Sequence, residues 1–244
     1  MIVPGKYDQI KANLKSRGWS KVTCSNVQQF DTFSNDFLNL LQEKVEVNVA
    51  FRELGISNIE ELREKAKFLD NNIVNHIRKT YLANFSRSIM DLFSDFIKAI
   101  FGNQILVQKY PQIQLHIPNN NTTKTYPHLE VMAGHSPFTY NFWVPFHQIN
   151  DESGIYVIDD HQSVKLCDDE LNSDINSRED LLKKQNPTFP KLKFGEALFF
   201  NGFVYHGSVQ NNNSKARVSL DVRMQKASAP LFQKYNDFFV KTIL

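Results

Sequence analysis

Arg217-Val218-Ser219-Leu220-Asp221-Val222-Arg223-Met224 alternates at every step between a polar or charged residue and an apolar one. That period of two places Val218, Leu220, Val222 and Met224 on one face of a strand and Arg217, Ser219, Asp221 and Arg223 on the other. A strand with one greasy and one ionic face belongs to a sheet packed against apolar elements on one side and lining a polar cavity on the other. The same division recurs upstream, in Gln112-Ile113-Gln114-Leu115-His116-Ile117 and in His128-Leu129-Glu130-Val131, which reads as a further strand. Segments near 126–132, 138–146, 154–158, 197–206 and 216–225 fill out a β-rich half that begins at residue 104.

Toward the N-terminus the period changes. From about residue 25 to 101 apolar residues recur at helical spacing, first as Ile59, Leu62, Phe68, Leu69, Ile73 and Ile77, then as Ile89, Phe93, Phe96, Ile97 and Ile100. Ser57 with Glu60 forms a capping-box pattern, Ser86 is expected to open the last helix, and Gly102-Asn103 stops the run. Residues 160–194 are polar, with a helix start at Ser177-Arg178-Glu179-Asp180 followed by Pro187 and Pro190. They read as a partly helical excursion over the β-half, expected to act as a lid. The chain is therefore read as one α+β domain. Residues 1–103 are helical support and pocket wall, 104–226 the β-core with its 160–194 excursion, and 227–244 a C-terminal segment.

Composition narrows the function classes. Lys and Arg number 28 against 26 Asp and Glu in 244 residues, a formal net charge of +2, with no polycationic block of the kind phosphate backbones require. Nucleic acid is not expected as a partner. No run approaches 18 apolar residues, and Met1-Ile2-Val3-Pro4-Gly5-Lys6 lacks the apolar core of a signal peptide, so a cytoplasmic protein without membrane contact is expected. Cys24 and Cys167 are the only cysteines, too few for a disulfide framework or a cysteine metal cage. A metal would have to be held by carboxylates and some of the seven histidines.

His128-Leu129-Glu130 sets an imidazole and a carboxylate two positions apart. With seven histidines and 26 acidic residues, chance alone supplies about one such pair in a chain of this length, so the pair decides nothing by itself. The added weight comes from His206, which follows Gly195-Glu196-Ala197-Leu198-Phe199-Phe200, and from Arg217, eleven positions later, with Ser219 on its own face. Two histidines and one carboxylate make a facial triad that leaves coordination positions open, as non-haem Fe(II) oxygenases require. An arginine in the same cavity can grip an anionic co-substrate with two hydrogen bonds.

These residues resemble the Fe(II)/2-oxoglutarate-dependent oxygenases, and within them the phytanoyl-CoA dioxygenase-like branch. The resemblance is carried by His128-x-Glu130, by Asn141-Phe142-Trp143-Val144-Pro145-Phe146 leading to Glu152-Ser153-Gly154, by Gly195-Glu196-Ala197-Leu198-Phe199-Phe200, and by His206-Gly207-Ser208 with Asn212 or Asn213, Ser214 and Arg217-x-Ser219. It spans roughly residues 104–226 and departs from the branch in carrying Glu130 where Asp is usual, and Gly195-Glu196 where Gly-Asp is frequent. It implies a double-stranded β-helix, a jelly roll like that of the cupins, with the helical region packed on one sheet.

The resemblance also implies that His128, Glu130 and His206 hold Fe(II) and carry catalysis. 2-Oxoglutarate would chelate that iron and pair its distal carboxylate with Arg217, and O2 would bind beside it to oxidise a C–H bond of a small molecule, in the bacterial members a carbohydrate, sugar nucleotide or other metabolite. Ser219, Gln112, Gln114, Asn141 and Trp143 would complete the co-substrate site, and His135 would face the substrate. Alternatives stay open residue by residue. Arg217 could instead pair with Asp221 or Glu196, with Arg223 as the anchor; Gln112 and Gln114 could be exposed, Trp143 could be core, and His135 could lie idle on a loop. The competing functions are a cupin-like metal-dependent isomerase and a non-catalytic, sugar-binding jelly roll. The first wants His-x-His followed shortly by Glu, whereas here the second histidine lies 76 residues beyond Glu130.

Overall fold

The computed structural model describes residues 5–45, 83–116, 125–150, 153–171, 185–213, 217–232 and 238–244. The helical pattern from Ile59 to Ile77, the Ser57 and Glu60 capping box, the helix start at Ser177, and Ile117, Glu152 and Ser214 lie outside them. Within them the helices are α1 (Asp8–Arg17), α2 (Val27–Val45), α3 (Ala83–Leu92), α4 (Ser94–Phe101) and α5 (Asp160–Leu171). The strands are β1 (Trp19–Thr23), β2 (Gln104–Gln108), β3 (Gln112–His116), β4 (Tyr140–Pro145), β5 (Ile155–Ile158), β6 (Glu196–Asn201), β7 (Tyr205–Ser208), β8 (Arg217–Lys226) and β9 (Phe239–Ile243). No described helix is long and apolar enough to cross a membrane.

The alternating stretch quoted above is the backbone of the sheet. β8 pairs antiparallel along one edge with β4, from Tyr140 opposite Met224 to Pro145 opposite Ser219. Its other edge is shared by β3, with His116 opposite Arg217, and β2, with Ile105 opposite Lys226. The seven-stranded sheet runs β1-β6-β4-β8-β2-β9, with β3 joining β8, and β5 pairs with β7 in a second, smaller sheet. The apolar face of the large sheet, including Phe142, Val144, Phe199, Val218, Leu220, Val222 and Met224, packs on Phe30, Phe33 and Phe37 of α2 and on Phe93, Phe96 and Ile97. Aromatic rings carry much of this contact: Phe93 meets Phe142 edge-on at 4.6 Å and Phe37 stacks on Phe146 at 4.7 Å. Each such buried ring contributes roughly 1.5–3 kcal/mol through removal from water. The opposite face, with Trp143, Leu198 and Phe200, packs on Ile155 and Val157 of the small sheet. Here the strand's ionic row, Arg217, Ser219, Asp221 and Arg223, is buried as fully as its apolar row.

Several expectations are corrected. His128-Leu129-Glu130 is not a strand: His128 makes a single bridge to His206, and residues 130–134 turn, with Ala133 and His135 N–H donating to the Glu130 carbonyl. Gly134, at φ 81°, adopts the left-handed conformation that ends the turn. Ser86 lies inside α3 rather than at its start, because its hydroxyl serves tertiary structure, donating to the Gln108 carbonyl at 2.9 Å. α1 and β1 extend the framework to the N-terminal side of the region read as helical. Gly18 joins them at φ 81°, where a Cβ would fall 2.8 Å from Val204 and Asp160. The segment after 227 carries β9, an edge strand on β2. The described parts of the 160–194 excursion are docked. Leu166 of α5 packs with Leu129, Ile158 and Tyr205, and Thr188 and Leu192 bridge to Val157 and Ile149.

Candidate metal centre

His128 and His206 reach the same point from two short segments whose backbones pair, His128 N–H to His206 O at 3.0 Å and His206 N–H to His128 O at 3.1 Å. That pairing stacks the imidazoles with ring centroids 4.4 Å apart. Each ring is fixed by its own chain: Nδ1 of His128 donates to the Tyr126 carbonyl and Nδ1 of His206 to the Val204 carbonyl, both at 2.9 Å. A carbonyl only accepts, so each Nδ1 carries a proton, and Nε2 is the ring atom turned toward Glu130. Oε1 of Glu130 lies 3.9 Å from Nε2 of His128 and 3.6 Å from Nε2 of His206. One ligand atom from each of the three lies within 4.8 Å of the others, the only such cluster among the described residues.

Neutral His206 and ionised Glu130 are what burial and charge favour. Burial lowers the His206 pKa to about 3, helped by neighbouring His128 and opposed by Glu130. Burial alone would raise the Glu130 carboxyl, but the charge and hydrogen bonds of Arg223 outweigh it and hold the group well below the usual carboxylate range. With His206 neutral and Glu130 ionised, two acceptor atoms meet beside Nε2 of His128, an arrangement that a cation relieves. The donor set fits a divalent metal of the non-haem iron type.

Glu130 is held from behind. Arg223 donates from Nε to Oε2 at 2.8 Å and from Nη2 to Oε1 at 2.9 Å, and Asn141 Nδ2 adds a third bond to Oε1 at 3.0 Å. His135 stands on the same carboxylate, 3.5 Å from Oε2, with its ring beside Phe238. Gln108 and Gln112 each accept from Nη1 of Arg223 at 3.4 Å, and Gln108 also accepts the Arg223 backbone N–H at 3.1 Å. Of the polar residues expected around a co-substrate, Gln112 and Asn141 therefore support the Glu130–Arg223 pair.

Arg217 occupies a different environment. Its Nη1 donates to the carbonyls of Ser153 and Gly154 at 3.1 and 3.0 Å, Nη2 to Gln114 Oε1 at 3.5 Å, and Nε has no hydrogen-bond partner among the described residues. The guanidinium sits 5.2 Å from the Trp143 ring, whose indole N–H donates to Ser219 Oγ at 2.9 Å. Burial lowers the Arg217 pKa to about 9, against the pull of Asp221. Glu196 is not its partner: that carboxylate accepts the Lys193 N–H at 2.8 Å in its own turn. A narrow cavity beside His206 is walled by Gln114, Trp143, Phe200, Ser208 and Asp221.

The sequence patterns assign no role to Gln108 or His116, and Asp221 enters them only as an alternative partner of Arg217. His116 lies under Arg217, with Nε2 3.3 Å from Ser208 Oγ, and burial together with the Arg217 charge drives its pKa down to about 2. The period-two reading had put Asp221 and Arg223 on the cavity face, which was the available signal. No family model matches the chain and no curated protein matches it in sequence. Solved structures do match in fold. The non-heme alpha ketoglutarate dependent carbocyclase SnoK from nogalamycin biosynthesis aligns at TM-score 0.55 and 13% identity, over 92% of this chain and 85% of its own. The epimerase SnoN in complex with Fe3+, alpha ketoglutarate and nogalamycin RO gives 0.55 and 13%, over 93% and 86%. The nickel complex of the non-heme monooxygenase ThoJ gives 0.53 and 13%, over 90% and 78%. The chain has the jelly-roll fold of these non-heme iron and 2-oxoglutarate enzymes, with its helices layered on one sheet.

Proposed function

We propose that the chain is an Fe(II)- and 2-oxoglutarate-dependent oxygenase that oxidises a C–H bond of a small metabolite. The observation that carries this reading is the convergence of two Nδ1-anchored imidazoles on one buried carboxylate oxygen, inside a fold shared with enzymes of that chemistry. His128, Glu130 and His206 would hold the iron. Bound with 2-oxoglutarate and O2, it supplies the oxidising power, coupled to decarboxylation of the co-substrate to succinate. Arg217, whose Nε has no partner among the described residues, would take the distal carboxylate of 2-oxoglutarate, and Ser219, held by the Trp143 indole, would lie beside it. Arg223 and Asn141 would aim Oε1 of Glu130 at the metal, in the manner of the outer partners that fix metal ligands elsewhere. Trp143 and Phe200 would keep water from the reacting centre. His135 would face the substrate side of Glu130.

The sequence resemblance supports a carbohydrate or sugar nucleotide as the substrate. A second reading, a metal-free ligand-binding jelly roll, draws on one observation: both Glu130 oxygens already accept hydrogen bonds. One experiment separates the two. Anaerobic addition of Fe(II) and 2-oxoglutarate should produce the weak visible charge-transfer band of the chelate, lost in His206→Ala. Absence of the band from the unmodified protein would overturn the oxygenase reading.

A further inference from the structure

We infer that Gln108 is a positioning residue of the metal centre: by holding Arg223 at both its backbone and its side chain, it fixes the carboxylate of Glu130 and so sets the affinity of the site for Fe(II). The inference rests on the oxygenase reading above and extends it to a residue of β2 that reaches Glu130 through Arg223.

The register of β8 shows why such a residue is needed. Along one edge β3 covers β8 from Arg217 to Asp221 and β2 covers it from Met224 to Lys226, so Val222 and Arg223 fall at the junction between the two strands. At that junction the backbone N–H of Arg223 donates to Oε1 of Gln108 at 3.1 Å, a side-chain oxygen standing where a strand carbonyl ordinarily would. The same oxygen accepts Nη1 of Arg223 at 3.4 Å. An amide oxygen has two lone pairs, and here both serve one arginine. Gln112 also accepts from Nη1, but from the exposed start of β3, whereas Gln108 is 1% exposed.

Gln108 is itself held on both sides. Its carbonyl accepts the Ser86 hydroxyl of α3 at 2.9 Å, and the next residue, Lys109, donates its N–H to the Phe238 carbonyl at 2.9 Å. A fixed acceptor bonded to both the main chain and the guanidinium of Arg223 narrows that side chain to the orientation in which Nε and Nη2 lie 2.8 and 2.9 Å from the Glu130 oxygens. Glu130 needs this support because it rides on a turn rather than in a strand. A neutral amide orients the arginine without competing for its charge, as a carboxylate at this place would. Outer partners of metal ligands contribute roughly 10- to 100-fold to metal affinity, and Gln108, one hydrogen bond further out, is expected at the lower end of that range.

The test is Fe(II) affinity, measured anaerobically by competition with a chelator of known affinity, in the unmodified protein and in Gln108→Met, which keeps the length of the side chain and removes the amide. Gln225→Met is the control: Gln225 is equally buried, lies on the same face of the sheet, and donates to the Pro230 carbonyl at 3.2 Å. Gln108→Met should bind Fe(II) about tenfold more weakly, while Gln225→Met stays within about threefold of the unmodified protein. With Fe(II) and 2-oxoglutarate both saturating, the visible band of the chelate should also lie at a different wavelength in Gln108→Met, a change that lost stability alone does not produce. Unchanged Fe(II) affinity in Gln108→Met, an equal loss in Gln225→Met, or an unmoved band overturns the inference. If Gln108→Met does not fold, Gln108→Asn, which retracts the acceptor by one methylene, is read against the same outcomes. Failure of the unmodified protein to bind Fe(II) overturns the oxygenase reading itself, and the inference with it.

Discussion

Arg223 grips Glu130 through two parallel hydrogen bonds, Nε to Oε2 at 2.8 Å and Nη2 to Oε1 at 2.9 Å, with both side chains buried. Removing one partner of such a pair strands the other charge out of water. Arg223→Gln is expected to lower stability by about 3–5 kcal/mol. Arg223→Lys keeps the charge but not the fork and should cost less. In urea unfolding the double variant Glu130→Gln with Arg223→Gln should cost clearly less than the sum of the single variants. Additive losses would mean that the pair carries no coupling.

That pair also marks the limit of sequence reading. β8 was legible because its two faces meet different surroundings, helices on one side and the small sheet on the other, so a period of two separates apolar from ionic residues cleanly. Arg223 could be put on the ionic face. Its partner could not be named, since Glu130 lies 93 residues away and arrives on a turn. The three residues His128-Leu129-Glu130 are too few for alternation to tell a strand from a bridge followed by a turn, and only the backbone pairing with His206 decides it. α1 escaped notice because none of its residues is buried, leaving no apolar stripe to read. β1 owes its conformation to pairing with β6 across the chain, and no local pattern announces that.

The helix layer is coupled to the sheet through aromatic contacts, and Phe142 is at their centre. Its ring meets Phe93 at 4.6 Å, Phe199 at 5.7 Å and Phe96 at 6.2 Å, and it is fully buried. Phe142→Ala is expected to destabilise by about 3–5 kcal/mol, since the rings around it cannot all collapse into the space left. Phe142→Leu should cost less than half of that. Thermal or denaturant unfolding measures both, and a loss under about 1 kcal/mol for alanine would show that the layer does not depend on this ring.

Arg217 has a rigid seat, with Nη1 fixed by the Ser153 and Gly154 carbonyls and the guanidinium near the Trp143 ring. Lysine can supply the charge at this place but not a planar fork aimed through Nε. Arg217→Lys is therefore expected to raise the 2-oxoglutarate concentration for half-saturation about tenfold or more, the scale of one charge-assisted hydrogen bond. Anaerobic titration of the Fe(II)-loaded protein reads it. An unchanged midpoint would assign the distal carboxylate to another group.

His116 sets an acid limit on stability that can be measured without metal or co-substrate. Its pKa is lowered in the fold to about 2 from the ordinary 6.5, by burial first and the Arg217 charge second. The unfolded chain therefore binds a proton below about pH 6.5 that the native protein refuses. A histidine with a depressed folded pKa contributes stability that is present above its unfolded pKa and lost as pH falls toward its folded value. Each such group makes stability fall by about 1.4 kcal/mol per pH unit within that window. His206, lowered to about 3, acts in the same direction, so the two slopes add between pH 6.5 and 3. His116→Gln keeps an acceptor for Ser208 and removes one of the two protons. Urea unfolding at pH 6, 5 and 4 should show the slope reduced by about 1.4 kcal/mol per pH unit relative to the unmodified protein. An identical slope would mean that His116 is protonated in the native state, with Ser208 and Arg217 rearranged around it.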